Sequence, residues 1–97
     1  MVSYVTLYRW TDQGAKDVKD TVNRARQAVA AAEKGGAKVK GIFWTQGQYD
    51  LIAFGEWPDE ASAIAFNMSI AKLGNLRTET LRALSMDEME SVLKKIP

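Results

Sequence analysis

Residues 42 to 54 read Ile42-Phe43-Trp44-Thr45-Gln46-Gly47-Gln48-Tyr49-Asp50-Leu51-Ile52-Ala53-Phe54, and this stretch decides the fold. Two runs rich in β-branched and aromatic residues meet there across a short turn that contains Gly47. Runs of this kind, joined by a short turn with glycine, are typical of an antiparallel β-hairpin. We therefore predict strands over residues 38–45 and 49–57, with the turn at residues 46–48.

The flanking segments add two strands and three helices to the hairpin. Residues 2–10 alternate with a period of two and predict the first strand, and residues 76–84 predict the last one. Apolar residues spaced by three and four predict a helix that Gly35 ends, and two further helices follow the same spacing later in the chain. The predicted helix starts are Thr11 or Asp12, with Asp20 or Thr21 as a second possible start, then Asp59, and Ser85 with its Ser-x-x-Glu capping box.

This order, βαββαβ with a C-terminal helix, implies a single α+β, ferredoxin-like domain over residues 1–97. Its four-stranded antiparallel sheet carries two helices on one face, which leaves the other face open. The third strand places Leu51 and Ala53 on one side and Ile52 and Phe54 on the other, so both faces are apolar. The same face of another copy covers an open apolar face most simply, and we predict a homodimer, with higher oligomers left open.

Composition excludes several classes of function. The chain has no cysteine and no histidine, which removes disulfides, thiolate chemistry and the commonest metal ligand, and we expect neither a metal nor a cofactor. Its 13 basic and 12 acidic residues give no basic field for nucleic acid. No apolar stretch is long enough to span a membrane, and no signal-like segment opens the chain, so we expect a cytoplasmic protein without a membrane partner.

Three separated blocks resemble the GYD family, a group of uncharacterised bacterial and archaeal proteins named for a Gly-Tyr-Asp motif. The blocks are Trp10-Thr11-Asp12-Gln13-Gly14, Gly47-Gln48-Tyr49-Asp50 and Gly74-Asn75-Leu76-Arg77-Thr78-Glu79-Thr80-Leu81, and here Gln48 interrupts the triplet. The resemblance covers nearly the whole chain and implies a dimeric α/β barrel. It implies no agreed activity, although the wider superfamily includes cofactor-free monooxygenases, small-ring isomerases, stress-response dimers and haem enzymes. A histidine-ligated haem is excluded, because the chain has no histidine.

Polar and aromatic residues on the strands are candidates for a small-molecule pocket between the sheet and a partner subunit. Asp50 at the hairpin turn is a possible general base beside Tyr49, but aspartate at a turn also commonly binds backbone N–H groups. Trp44 either stacks on a ligand or anchors the core or interface. The full candidate set is Tyr8, Trp44, Tyr49, Asp50 and Arg82.

Arg82 and Tyr8 enter this set through alternation along the last and first strands. Each lies in a row of polar residues, and we expect the two rows to converge on the open face, from strands that are not direct neighbours. The alternative for Arg82 is an ion pair with Glu56 or Asp50 at the dimer contact.

Three functional hypotheses remain at this point. The leading one is a homodimeric, cofactor-free protein that binds a small organic ligand. The second is a cofactor-free monooxygenase-like or isomerase-like enzyme, in which Asp50 is the base, Tyr49 the proton donor and Arg82 the stabiliser of an enolate-like charge. The third is a non-catalytic assembly or stress-response module. An open cavity favours the first two, and a filled interior favours the third.

Overall fold

A computed structural model describes all 97 residues and has the predicted order of elements. The fold is α+β and ferredoxin-like, with one four-stranded antiparallel sheet, as predicted. The model contains no helix with the length and apolar character that a membrane crossing requires. The elements are β1 (Val2–Trp10), α1 (Asp12–Lys16), α2 (Thr21–Lys34), β2 (Lys38–Trp44), β3 (Leu51–Trp57), α3 (Glu60–Lys72), β4 (Leu76–Ala83) and α4 (Met86–Leu93).

The sheet has the strand order β2-β3-β1-β4, so β1 lies at its centre and pairs with both β3 and β4. Our expectation that the first and last strands are not neighbours was therefore wrong. Each helical crossover skips one strand position. The crossover from β1 to β2 leaves a position between them that β3 occupies. The crossover from β3 to β4 passes β1 and places β4 at its other edge.

The first helical segment is broken, which confirms the second possible start at Thr21. Thr11 caps α1 by accepting a hydrogen bond from the Gly14 N–H at 3.2 Å. A 3-10 turn over Val18–Asp20 then separates α1 from α2. The interruption lets α1 stay close to the end of the sheet while α2 crosses it.

The hairpin loop is longer than predicted. The ladder ends where the Thr45 N–H donates to the Asp50 carbonyl at 2.9 Å, and the Thr45 hydroxyl donates to the Tyr49 carbonyl at 2.7 Å. Tyr49 therefore lies in the loop before β3 rather than at the start of the strand. Hydrogen bonds within the loop, rather than strand pairing, hold this residue in place.

The most deeply buried apolar side chains between the sheet and the helices are mostly small. No large side chain is fully buried. The buried apolar residues are Ala25, Ala32, Ala37, Leu51 and Ala63. The buried residues of α2 and α3 are therefore alanines, while larger side chains such as Phe66, which packs on Trp57, stay partly exposed.

The opposite face of the sheet carries no helix. Phe54 lies opposite Val5 in the register, and its ring stacks on Phe43 with centroids 6.1 Å apart. Leu81 lies across from the same Val5 on the other side of β1. Phe43, Phe54 and Leu81 are 56%, 40% and 45% exposed, so this uncovered face is apolar, as the two-sided pattern predicts.

The helix α4 projects from the end of β4 and makes no substantial contact with another helix or strand. Ser85 and Glu88 form the predicted capping box, which confirms the start of this helix. The molecule is correspondingly elongated, with principal extents of 51 × 30 × 19 Å.

Candidate ligand-binding site

The three sequence blocks meet at one end of the sheet, which we call the motif junction (residues 10–14, 47–50 and 73–75). The Thr11 N–H donates to the Asn75 carbonyl at 3.1 Å, and the Thr11 hydroxyl donates to the Gly74 carbonyl at 2.5 Å. The Trp10 N–H donates to Asp50 Oδ2 at 2.8 Å. Residues far apart in the chain are thus fixed to one another through backbone groups.

Two side-chain features tighten the motif junction further. Gln13 donates through Nε2 to Asn75 Oδ1 at 2.9 Å and to the Leu73 carbonyl at 3.2 Å. Gly14 is buried against the same segment, and a Cβ built on it would lie 2.1 Å from the Asn75 carbonyl oxygen. Only glycine allows the two backbones to approach this closely.

Asp50 is occupied by backbone partners. Besides accepting from Trp10 through its side chain, it donates its own N–H to the Tyr8 carbonyl at 2.8 Å. Its carbonyl accepts from the Thr45 N–H at 2.9 Å. This arrangement supports the structural alternative for Asp50, in which the carboxylate binds backbone N–H groups.

Tyr49 lies at the edge of the uncovered face. Its hydroxyl donates to Glu79 Oε2 at 2.5 Å, and this hydrogen bond to a carboxylate raises the pKa of Tyr49 above its ordinary value of 10.0. The Arg9 guanidinium lies 4.6 Å from the ring centroid, and Arg9 Nε donates to the Gln48 carbonyl at 2.9 Å. The phenol therefore lies between a carboxylate and a guanidinium.

Tyr8 and Trp44 face the helices. Trp44 Nε1 donates to the Thr21 hydroxyl on α2 at 3.0 Å. Tyr8 is half-buried on the same side, and burial raises the pKa of its hydroxyl, partly offset by a hydrogen bond with Thr6. The expectation that the polar rows of β1 and β4 converge on the open face was wrong, because both rows lie side by side on the face that the helices cover. The alanines on the inner sides of α2 and α3 leave room for tyrosine rings beneath the helices.

A cavity of about 410 Å³ lies between α3 and β4. One wall is apolar and comes from α3, and the other comes from the helix-facing row of β4. The side chains that define these two walls are Ile64, Met68 and Ala71 on α3, and Thr78, Thr80 and Arg82 on β4.

Polar contacts organise the β4 side of this cavity. Asn67 Nδ2 donates to the Thr80 hydroxyl at 3.0 Å, which orients both groups. Arg82 lies beside the Tyr4 ring, with its guanidinium carbon 6.0 Å from the ring centroid. Arg82 also donates to the Ser3 carbonyl at 3.2 Å and to the Ala83 carbonyl.

The ion-pair partner of Arg82 differs from both partners that we predicted. Arg82 Nη2 lies 3.6 Å from Glu88 Oε2, whereas Glu56 pairs with Lys40 at 2.7 Å and Asp50 belongs to the motif junction. The Glu88 side chain lies just after β4, while the predicted acids lie on β3 or in the loop before it. A local partner therefore replaces a distant one.

The structure distributes the candidate residues over several places. Arg82 borders the cavity, and Tyr8 lines a smaller one of about 50 Å³ that shares Tyr4 and Asn67 with it. Trp44, Tyr49 and Asp50 line neither. No three acidic, histidine or cysteine side chains are grouped so as to hold a metal ion.

The α3 wall was missed at the sequence level. In the sequence, the spacing of Ile64 and Met68 shows only that they share one face of a helix. In the structure these side chains lie at the flank of α3 and are 50% and 67% exposed. Large apolar residues beside a run of inward-facing alanines are the signal that points to such a wall.

A family model described as the GYD domain matches residues 4–93. The chain belongs to the GYD domain family. No curated protein matches this GYD domain at a significant level. A solved structure described as "crystal structure of FFRP-DM1" is similar, with a TM-score of 0.61 and 23% identity, covering 87% of this chain and 100% of that one. At that identity the similarity shows the fold alone.

In this GYD domain, the residues of the naming motif hold the end of the sheet rather than the cavity. Asp50 binds the backbone at the close of β1, and Tyr49 reaches Glu79 on the uncovered face. Gly47 adopts a positive φ of 127°, and Gln48 lies between it and Tyr49. The interrupted motif thus still brings Tyr49 and Asp50 to positions with specific partners.

Proposed function

We propose that this GYD domain is a homodimer that binds a small organic molecule in the cavity between α3 and β4. The observation that carries the proposal is the cavity itself. Its volume of about 410 Å³ lies within the range of roughly 300–1,000 Å³ that is usual for small-molecule sites. An apolar wall faces a row of hydroxyls and a guanidinium, which is the usual composition of such sites.

The charges around Arg82 define the class of ligand. Glu88 pairs with the guanidinium, and Glu60 also borders the cavity, so two carboxylates accompany one cation. An anionic ligand gains little binding energy there, because the two carboxylates offset the attraction of the guanidinium. A neutral molecule with an apolar body and a carbonyl or hydroxyl oxygen fits better, because the N–H groups of Arg82 and Asn67 donate hydrogen bonds to such an oxygen.

The uncovered face supports self-association. Phe43, Phe54 and Leu81 form part of an apolar surface that a second copy of the same face buries. Arg9 and Glu79 flank this surface with opposite charges. In an isologous contact each copy presents both charges, so Arg9 of one copy has an acidic partner available in Glu79 of the other.

The enzyme hypothesis receives less support from the geometry. Asp50 is bound to the Trp10 N–H, Tyr49 is bound to Glu79 at the uncovered face, and Arg82 lies on the helix side. No single cavity contains a base, a donor and a cation in the proposed roles. Binding is therefore the function that we propose.

The test is a thermal-shift screen with small neutral carbonyl compounds, followed by calorimetric titration of those that bind. We expect Ala71→Leu, which fills the cavity, to weaken binding by tenfold or more, equivalent to about 1.4 kcal/mol. Ala65→Leu on the exposed side of α3 is the matched control and retains the affinity. Binding that survives Ala71→Leu unchanged, or a screen without any binder, contradicts the proposal.

A further inference from the structure

The helix α4 presents an apolar stripe that nothing in its own chain covers. Met89, Val92, Leu93 and Ile96 follow helical spacing and are 43%, 43%, 50% and 65% exposed. The capping box and the Arg82–Glu88 pair fix the first turn of the helix, yet the rest of α4 projects from the body. A structured helix with an exposed apolar stripe requires a surface on which to pack.

A matching surface exists on the same molecule at the open side of the cavity. Ile64 and Met68 on α3 are 50% and 67% exposed, and the edge strand β4 runs beside them. Together they form a groove that runs along α3. Its length of thirteen residues exceeds the eight residues of α4.

The charges at the two ends of this groove have opposite signs. Lys72 ends α3, and Arg77 NH1 lies 3.4 Å from the Ala71 carbonyl, so this end is basic. Asp59 and Glu60 begin α3, so the other end is acidic apart from Arg82.

The helix α4 carries the same polarity along its own length. Asp87, Glu88 and Glu90 lie in its first half, whereas Lys94 and Lys95 follow its last turn. Antiparallel packing against α3 therefore places acids beside bases at both ends and also opposes the two helix dipoles.

We propose that α4 of one copy docks antiparallel along α3 of a second copy and covers the open side of its cavity. Docking within one chain is disfavoured by the same charges. β4 ends beside Glu60, because Glu60 and Arg82 border the same cavity. A helix folding back from that point runs parallel to α3 and places its acidic half beside the acidic end.

The partner copy then supplies the missing wall of the proposed ligand site. In this part alone the inference rests on the proposed function, since the docking itself needs no ligand. In the antiparallel arrangement Met89 lies opposite Met68, and Val92, in the last turn of α4, lies opposite Ile64. A ligand in the cavity is enclosed by two chains instead of one.

The chain has no cysteine, which makes a cross-linking test clean. Full-length Ile64→Cys protein, carrying a larger tag, is mixed with untagged Val92→Cys protein and treated with a short bismaleimide, because antiparallel packing places these two positions opposite each other. We expect a product that contains one chain of each kind. Ser91→Cys on the opposite side of α4 and Ala65→Cys on the exposed side of α3 are matched controls, each expected to give at least fivefold less product.

Three outcomes overturn the docking: no mixed product, equal product with the control variants, or cross-linking only within a chain that carries both Ile64→Cys and Val92→Cys. The orientation is tested by reversing charges. Lys94→Glu with Lys95→Glu lowers the yield of mixed product, and Glu60→Lys in the other chain restores it. No restoration overturns the antiparallel arrangement. Because these measurements use no ligand, they succeed or fail separately from the binding screen.

Discussion

Asp50 accepts a hydrogen bond from the backbone N–H of Trp10, forty residues earlier, at 2.8 Å. The contact joins the last residue of β1 to the loop before β3. Without it, the Trp10 N–H at this partly buried end of the strand would lose its side-chain partner. The acid of the family motif therefore acts first as a structural acceptor.

Replacing Asp50 by alanine should lower the free energy of unfolding by about 1–3 kcal/mol, because a partly buried N–H loses a charged acceptor. Asp50→Asn keeps an oxygen at the same place and should cost less. Urea denaturation measures both variants, with Gln48→Ala in the same loop as a neutral control. Equal stability of the alanine variant and the unaltered protein would show that the contact contributes nothing.

Gly14→Ala should destabilise the protein by about 1–3 kcal/mol, because the new Cβ meets the Asn75 carbonyl oxygen at 2.1 Å and backbone must shift. Gly35→Ala is the control, since its Cβ comes no closer than 3.4 Å to any neighbour. Thermal unfolding compares the two. A tolerated Gly14→Ala would mean that the α1 segment moves away from Asn75 at little cost.

The Tyr49–Glu79 hydrogen bond predicts a specific titration. The raised pKa of Tyr49 means that this contact stabilises the folded state fully below pH 10.0, the ordinary value, and that the contribution is lost as the pH rises through the folded pKa. Glu79→Gln should lower the pKa of Tyr49, while Tyr8, whose pKa is raised by burial, should keep its value. NMR titration of the tyrosine rings distinguishes them. An unchanged Tyr49 in Glu79→Gln refutes the assigned cause.

Phe54→Lys should weaken the proposed dimer at least tenfold, about 1.4 kcal/mol, because it places a charge in the middle of the apolar face. Val22→Lys, at an apolar residue of α2 that is 44% exposed, is the matched control. Sedimentation equilibrium gives the association constant, and circular dichroism verifies that both variants are folded. A dimer that tolerates Phe54→Lys places the interface elsewhere.

Sequence reasoning predicted the order of elements well, since each depends on local chemistry. The signals that define the elements are local. They include the alternation in residues 2–10, the glycine at Gly35 that ends a helix, and the Ser85 capping box. The break before Thr21 was visible only as an alternative, and the close approach of Gly14 to Asn75, which holds α1 in place, joins residues that are distant in the sequence.

The candidate site was harder to predict for the same reason. Alternation grouped Arg82 correctly with its row on β4, but it does not tell which face of the sheet receives the helices. That choice depends on the alanines of α2 and α3, whose small size admits Tyr4 and Tyr8 beneath them. Likewise, the partner of Arg82 depends on where α4 begins, and a pattern within one strand carries no information about it.

The small side chains between the sheet and the helices affect how the stability of the protein depends on its concentration. No large side chain is fully buried within one chain, so in the proposed dimer a large share of the apolar burial would come from surfaces that a second chain covers. For the proposed dimer, folding and association would then be coupled by mass action, and the protein concentration would set the folded fraction.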